Sequence, residues 1–396
     1  SIGKSNINFE SSIFLEIDSI ALRKLVVTRA KVTISNGEID EILTLRPNDA
    51  YFPPYVYEGT IIKGTPGTGS LASALIIARG SKINAVGTAS EPIIFTSSSD
   101  NIEVGQTAGT NLDENDRGLW GGLIILGNAP CSFSGNIPEA QIEGIPADDT
   151  FGLYGGPDAA DNSGVLSYIS IRHGGALIGE GNEINGLTLG GVGNGTVINN
   201  IEVVANVDDG IEFFGGTVNA SNLLVWAQGD DALDIDQAYS GTIDNAVVVL
   251  GDFSDHAFEI DGPEGSASGS FTIQNATIIG NSVTENGEYA DYRSGATGTT
   301  NNIYAYGFKD SSDIELDNNG VATNYNDGLL TFGVWEIVLP TDITNVVDLF
   351  VNKAETVIVT GFGNTASAVT QDSPTVGAVT SQLAWTYANF AGSLGF

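Results

Sequence analysis

Three stretches of this 396-residue chain repeat one arrangement of acidic and apolar residues: "VDDGIEFFGG" from Val207, "GDDALDIDQA" from Gly229 and "SDHAFEIDGP" from Ser254. Aligned on their acidic pairs, Asp208, Asp230 and Asp255 correspond, as do Asp209, Asp231 and His256, and further on Glu212, Asp234 and Glu259. Such groups suit two kinds of chemistry. Clustered carboxylate oxygens ligate a hard cation such as calcium. Asp208, Asp209, Asp230, Asp231, Asp234 and Asp236 are the candidate ligands, with Asp158, Asp161 and Asn162 of "PDAADNSG" as a second set. Neither set follows a strict calcium-loop pattern, and the plain alternative is that corner Asp residues cap turns. Paired carboxylates also carry out glycoside hydrolysis. Asp209, Asp231, Asp255 and His256 could supply them, although turn packing is the simpler reading for both histidines of the chain, His173 and His256.

The elements that must position these groups follow from the spacing. The phrases recur at steps of 22 (208 to 230) and 25 (230 to 255) residues, the period of stacked-repeat architectures. Each is followed by a phrase of the type T-V-x-N: "TVINNIEVV" from Thr196, "TVNASNLLV" from Thr217, "TIDNAVVV" from Thr242, "TIQNATII" from Thr272 and, less closely, "TNNIYAYG" from Thr300. Their apolar residues alternate with polar ones, which is strand periodicity. One such repeat cannot bury its apolar face alone, whereas stacked coils close a continuous core and pair the backbone between coils. The predicted fold is therefore all-β, a right-handed parallel β-helix with an additional N-terminal β element. Asn200, Asn222, Asn245, Asn275 and Asn302 should form a column of amides at one bend. Ile211, Leu233 and Phe258 should point inward, and so should Phe213, Ile235 and Ile260.

Glu212, Asp234 and Glu259 then point outward, in a column that extends to Glu183 and Asp291. Coils about 4.8 Å apart would set like charges repelling by about 0.9 kcal/mol in bulk water and several-fold more near a low-dielectric surface. No Lys or Arg lies between Arg172 and Arg293 to relieve them. Side-chain splay with salt screening, proton uptake or bound cations are the remaining remedies.

Composition narrows the function. The net charge is −35; residues 1–46 hold six basic and six acidic residues, so the remainder carries 8 basic against 43 acidic. Such a body is a poor nucleic-acid partner, because phosphate binding depends on Lys and Arg. No apolar run reaches the roughly 18 residues of a membrane span. The single Cys131 excludes an internal disulfide and a zinc site built on several thiolates. Met is absent, position 1 included, from which we expect a processed chain whose secretory signal has been removed.

The run from Gly59 to Ser97 resembles the first coils of secreted bacterial right-handed β-helix proteins. The runs "GLWGGLIILGNAP", "QIEGIP", "LYGGPDAADNSGVLSYISIRHGG", "NEINGLTLGGVG" and "DDGIEFFGGTVN", with the ending "WTYANFAGSLGF", resemble a family of cell-surface β-helix proteins from marine Bacteroidota. That family is often labelled "multidrug transporter". The resemblance covers about Glu58 to Phe396 and implies an extracellular or outer-surface β-helix, with no established activity. Residues 1–57 depart from it, and 1–50 read as a separate β segment, a cap or an assembly contact; 51–330 form the β-helix and 331–396 the C-terminal coils and cap. The leading expectation is a non-enzymatic structural or adhesive protein that self-associates through residues 1–50 into a filament or layer. The alternative is a carbohydrate-binding or carbohydrate-active β-helix acting on a neutral surface glycan. An aromatic sugar platform beside the Asp209–Asp231–His256 face would favour the alternative, and a flat carboxylate face without a groove the structural role.

Overall fold

The computed structural model describes residues 55–396 except 146–149, 178–183 and 285–286, together with the strands Ser5–Phe9, Phe14–Ile17, Val32–Ile34, Glu38–Ile39 and Leu43–Leu45 before them. One coil shows how the solenoid is made. The strand Ile211–Phe214 leads through a turn to Ala220–Trp226, and a second turn returns the chain to Leu233–Asp236, one coil further on. Ile211 then lies beside Leu233, Glu212 beside Asp234 and Phe213 beside Ile235, in parallel register. The same pairing runs through a front sheet from Leu43–Leu45 to Phe350–Asn352. Parallel crossovers of this kind are right-handed, and the fold is the expected right-handed parallel β-helix.

The back of each coil is one strand with a corner in it. Asn200, Asn222, Asn245, Asn275 and Asn302 have φ of 54°, 55°, 64°, 57° and 57°. This left-handed region is one that Asn tolerates better than most residues. In the first such strand, Gly164–Arg172, Tyr168 occupies the corner with φ 54°. Its halves pair with separate strands, Ile83–Val86 and Ile93–Ser97, so the coil has three sides. The amides form a ladder: Asn222 Nδ2 donates to Asn200 Oδ1 (3.3 Å), Asn245 Nδ2 to Asn222 Oδ1 (2.7 Å), and Asn302 Nδ2 to Asn275 Oδ1 (2.9 Å). One rung is diverted, since Asn275 Nδ2 donates to Asp244 Oδ1 (2.7 Å). Inside, Ile211, Phe213, Leu233, Ile235, Phe258 and Ile260 are all fully buried. Each contributes about 1.5–3 kcal/mol by leaving water.

The parallel stack begins within the segment expected to stand apart as residues 1–50. Val32–Ile34, Glu38–Ile39 and Leu43–Leu45 pair in parallel with Tyr55–Tyr57, Ile61–Gly64 and Leu75–Ile77. Ser5–Phe9 adds antiparallel to Val32–Ile34, and Phe14–Ile17 adds to Ser5–Phe9. At the other end an aromatic group of Tyr325, Phe332, Phe350 and Phe362 covers the core. The last residues do not stay there. Thr375 N donates to Glu336 Oε2, Ala378 N to Thr277 Oγ1 (2.9 Å), Val379 N to Asn245 Oδ1 (2.6 Å) and Ala388 N to Glu202 Oε1 (2.7 Å). The tail thus runs back along the outside of successive coils, where Leu383, Tyr387 and Ala388 pack on Val204, Leu224, Trp226 and Val247. Beneath it lies a buried charge pair, Arg172 and Glu202 (4.0 Å), with Ser170 Oγ bonded to Glu202 (2.5 Å) and the Tyr387 ring stacked on the guanidinium. Among the described residues no helix is long and apolar enough to cross a membrane.

Candidate functional site on the front sheet

The outer face of the front sheet changes character along the solenoid. Its first coils present Ile76 and Ile124 outward, and these are covered by Phe133, Ile142, Ile145 and Tyr154 of the long excursion after Leu126. Later coils present acid. Strand register places Thr188, Glu212, Asp234, Glu259, Asp291 and Glu315 in one outward column. Glu212, Asp234, Glu259 and Asp291 stand where the alternation predicts; Glu183 lies outside the described residues. Glu315 was not anticipated, because "DIELDNN" lacks the repeated phrase.

The column is more buried than outward-pointing strand residues usually are. Glu212 is 6% exposed, Asp234 8% and Asp209, at the preceding corner, 6%. Burial comes first and neighbouring carboxylates second in raising all three carboxyls well above their ordinary values. Oxygens of Asp209, Glu212 and Asp234 lie within 4.8 Å of one another, as do those of Asp208, Asp209 and Asp230. The fully buried Asn185 donates through Nδ2 to Glu212, while its own Oδ1 and Asp234 Oδ1 have no hydrogen-bond partner. These two orphan acceptors beside three carboxylates are suited to a hard cation.

The next coil solves the same problem with protein groups. His256 Nδ1 lies 2.8 Å from Asp231 Oδ1, which also accepts from the His256 backbone N–H at 2.7 Å. Burial opposes charge on both. The bonds between them outweigh it, holding Asp231 below its ordinary range and raising His256 to about 9. Glu259 is pushed up to about 10 by burial and the Asp231 charge, against the opposing pull of the Arg293 guanidinium. The expectation that no cation relieves the column is overturned: Arg293 pairs with Glu259 and, at 2.6 Å, with Asp261, and Lys353 pairs with Glu315. Both come from coils remote in sequence that the stack brings alongside.

The structure therefore joins Asp209, Asp231 and His256 in one column, with Asp255 at its edge, its Oδ1 3.9 Å from His256 Nδ1. Asp231 N donates to Asp209 Oδ1 (2.9 Å), so these carboxylates are engaged in bracing successive corners. Asp158, Asp161 and Asn162 sit apart in a turn. There Asp158 Oδ1 accepts from Ala160 N (3.0 Å), Asn162 Oδ1 from Gly164 N (2.8 Å), and Asp161 Oδ2 from Ser163 Oγ (3.3 Å). His173 is a turn residue, with φ 61° and Nδ1 2.6 Å from the Asp116 carbonyl.

Beside the column lies a cleft of about 690 Å³, open to solvent and lined by Ser134, Asp236, Asp261, Glu264, Arg293 and Asp317 among others. Asp236, Asp261, Arg293 and Asp317 occupy corresponding positions on successive coils. The excursion after Leu126 forms one wall, since Ser134 N donates to Glu264 Oε2 (3.2 Å). Burial raises Asp236 to about 7. Of these residues Asp236 is one of the candidate ligands marked by the repeated phrases. Arg293, Glu264 and Asp317 lie outside the repeated phrases, and no local signal marks them. Among the described residues no aromatic side chain lines this cleft.

A family model described as a pectate-lyase like beta helix domain matches residues 54–388. No curated protein matches the chain in sequence. A solved structure similar to it is that of the pectin methylesterase from Aspergillus niger, 12% identical, covering 89% of this chain and 87% of that one, with a TM-score of 0.33.

Proposed function

The chain belongs to the family of pectate-lyase-like β-helix domains, and from that premise we propose that it is an extracellular carbohydrate-active β-helix that holds a non-acidic glycan along the outer face of its front sheet. The observation that carries this reading is the cleft itself. An open, polar groove of about 690 Å³ runs beside the carboxylate column, whose Glu259 is raised by burial. Pockets of this size suit a sugar-sized ligand, and a carboxyl with a raised pKa is the kind of group that glycosidic bond cleavage uses as its acid. A uronate polymer is disfavoured, because Arg293, His256 and Lys353, the cations described on this face, are already bonded to carboxylates. Calorimetry against a panel of oligosaccharides, with reducing-end release as a second readout, tests the reading. Binding of at least one non-acidic glycan, weakened in Glu264→Gln, is expected. Failure of every glycan to bind would overturn it.

Calcium fits this reading as a structural ion at Asp209, Glu212 and Asp234, with Asp208, Asp230 and Asn185 around it. The support is the pair of buried acceptors, Asp234 Oδ1 and Asn185 Oδ1, that lack donors. An ion there would neutralise three buried carboxylates and hold successive coils together.

A structural role by self-association has its own support. Among the described residues, strand Phe14–Ile17 pairs on one edge with Ser5–Phe9 and has no partner on the other. An open edge of this kind templates a strand from a neighbour.

A further inference from the structure

The charge of the cleft narrows the ligand. Four carboxylates, Asp236, Asp261, Glu264 and Asp317, line it against one base, Arg293. Arg293 is committed to Asp261 through Nε (3.0 Å) and Nη2 (2.6 Å), and to Glu259 through Nη1. The other three carboxylates meet neutral donors: Asp236 takes the Gln237 backbone N–H (2.5 Å), Glu264 the Gln237 side-chain amide (2.8 Å) and Asp317 the Asn318 amide (3.2 Å). On the same outward face, Asp234 and Asp291 are more than nine-tenths buried, and each has an Oδ1 with no hydrogen-bond partner. Carboxylates on this face therefore outnumber its positive groups, and two of its buried acceptors lack a donor.

A single metal ion is a poor match to that deficit. Hard cations gather their oxygens at about 2.3–2.6 Å, and among the described residues the groups close enough to converge on one ion are Asp209, Glu212 and Asp234; Asp208, Asp209 and Asp230; Asp231, His256 and Glu259; and Glu288, Asp313 and Glu315. Asp236, Asp261, Glu264 and Asp317 belong to none of these groups. Their charge is spread along successive coils, so its complement is a series of separated cations, each with several N–H donors.

We propose that the cleft binds an amino-bearing glycan, a polymer of hexosamine with free ammonium groups. The ammoniums sit against Asp236, Glu264 and Asp317, while the Arg293–Asp261 pair forms the floor. This inference rests on the glycan reading above and specifies its substrate class. An N-acetylated chain offers amides in place of ammoniums and loses the charge complement. A uronate chain meets repulsion from four carboxylates. Charge-assisted hydrogen bonds are about twice as strong as neutral ones, so the preference for the free amine should be large.

The test is calorimetric titration of the full chain with glucosamine oligomers, their N-acetylated counterparts, oligogalacturonate and calcium chloride alone. The glucosamine oligomer should bind at least about tenfold more tightly than the N-acetylated one, and weaken as salt rises. Glu264→Gln and Asp317→Asn should each weaken it by about tenfold while leaving the circular dichroism unchanged. Two variants are used so that misfolding of one does not decide the outcome. Equal binding of the N-acetylated oligomer, or preferred binding of oligogalacturonate, overturns the cationic inference and leaves the glycan reading standing. Binding of calcium and of no oligomer overturns both.

Discussion

At the scale of single residues, the outer face of the front sheet is governed by proton uptake as much as by ion pairing. Asp209, Glu212, Asp234 and Glu259 all have carboxyls raised by burial and by one another, and His256 is raised to about 9 against an ordinary 6.5. The sign is the same for each. A group with a raised folded-state pKa contributes stability that is fully present below its unfolded value and is lost as pH rises through its folded value. For His256 that window runs from 6.5 to about 9, and for Glu259 from 4.5 to about 10. Metal-free protein should therefore lose stability steadily across mildly alkaline pH. Glu259→Gln should flatten that decline, as read by urea midpoints at a series of pH values. An unchanged slope would show that Glu259 is ionised in the folded protein. Asp231, held low by His256, has the opposite sign and loses its contribution on acidification below its ordinary 3.8.

At the scale of elements, the asparagine ladder and the tail are joined. Asn245 holds a ladder rung and also receives the backbone N–H of Val379. Asn222 serves the ladder on both sides, donating to Asn200 and accepting from Asn245. Asn222→Ala places a Cβ-bearing residue without the amide in the left-handed region and leaves neighbouring amides short of partners; a loss of about 2–3 kcal/mol is expected. Asn222→Gly relieves the backbone part and should lose less. Chemical denaturation of the two variants separates ladder from conformation, and equal losses would show that the backbone angle contributes nothing. Removing residues 375–396 uncovers Trp226, Val247 and the Arg172–Glu202 pair. A buried ion pair stripped of its cover loses its hydrogen-bond partner at Ala388. The truncated chain should melt markedly lower, with its first loss of structure in the coils around Arg172 by hydrogen exchange. Unchanged protection there would mean the tail is passive.

At the scale of the whole molecule, two terms remain: ions and neighbours. If calcium sits among Asp209, Glu212 and Asp234, chelator at fixed ionic strength should lower the melting temperature, because a ligand that binds only the folded state stabilises it. Identical melting with chelator and with excess calcium would remove the ion from the account. For self-association, the informative deletion is residues 1–31. It removes the antiparallel pair Ser5–Phe9 and Phe14–Ile17 but keeps the first parallel coil from Val32. Light scattering across salt should then show association in the intact chain and monomers in the shortened one. Two equally monomeric proteins would make the segment an intramolecular cap.

The solenoid was legible because its determinants are local and periodic. Asn200, Asn222, Asn245, Asn275 and Asn302 recur in register, and the alternation around Ile211, Leu233 and Phe258 sets which side chains face in. The outward carboxylate column follows from the same alternation. What lies opposite that column was not legible, because a coil is closed by residues whose distance in sequence varies with the intervening turns. Arg293 reaches Asp261 and Glu259 across 32 and 34 residues (293 less 261 and 259), and Lys353 reaches Glu315 across 38. The tail was read as part of the far cap, yet its amides bond to Thr277, Asn245 and Glu202 far back along the stack. Repetition within the chain thus determined the coil and its inward and outward faces. Only the tertiary stack decided which distant charges meet on that face, how deeply its carboxylates are buried, and that a cleft opens beside them.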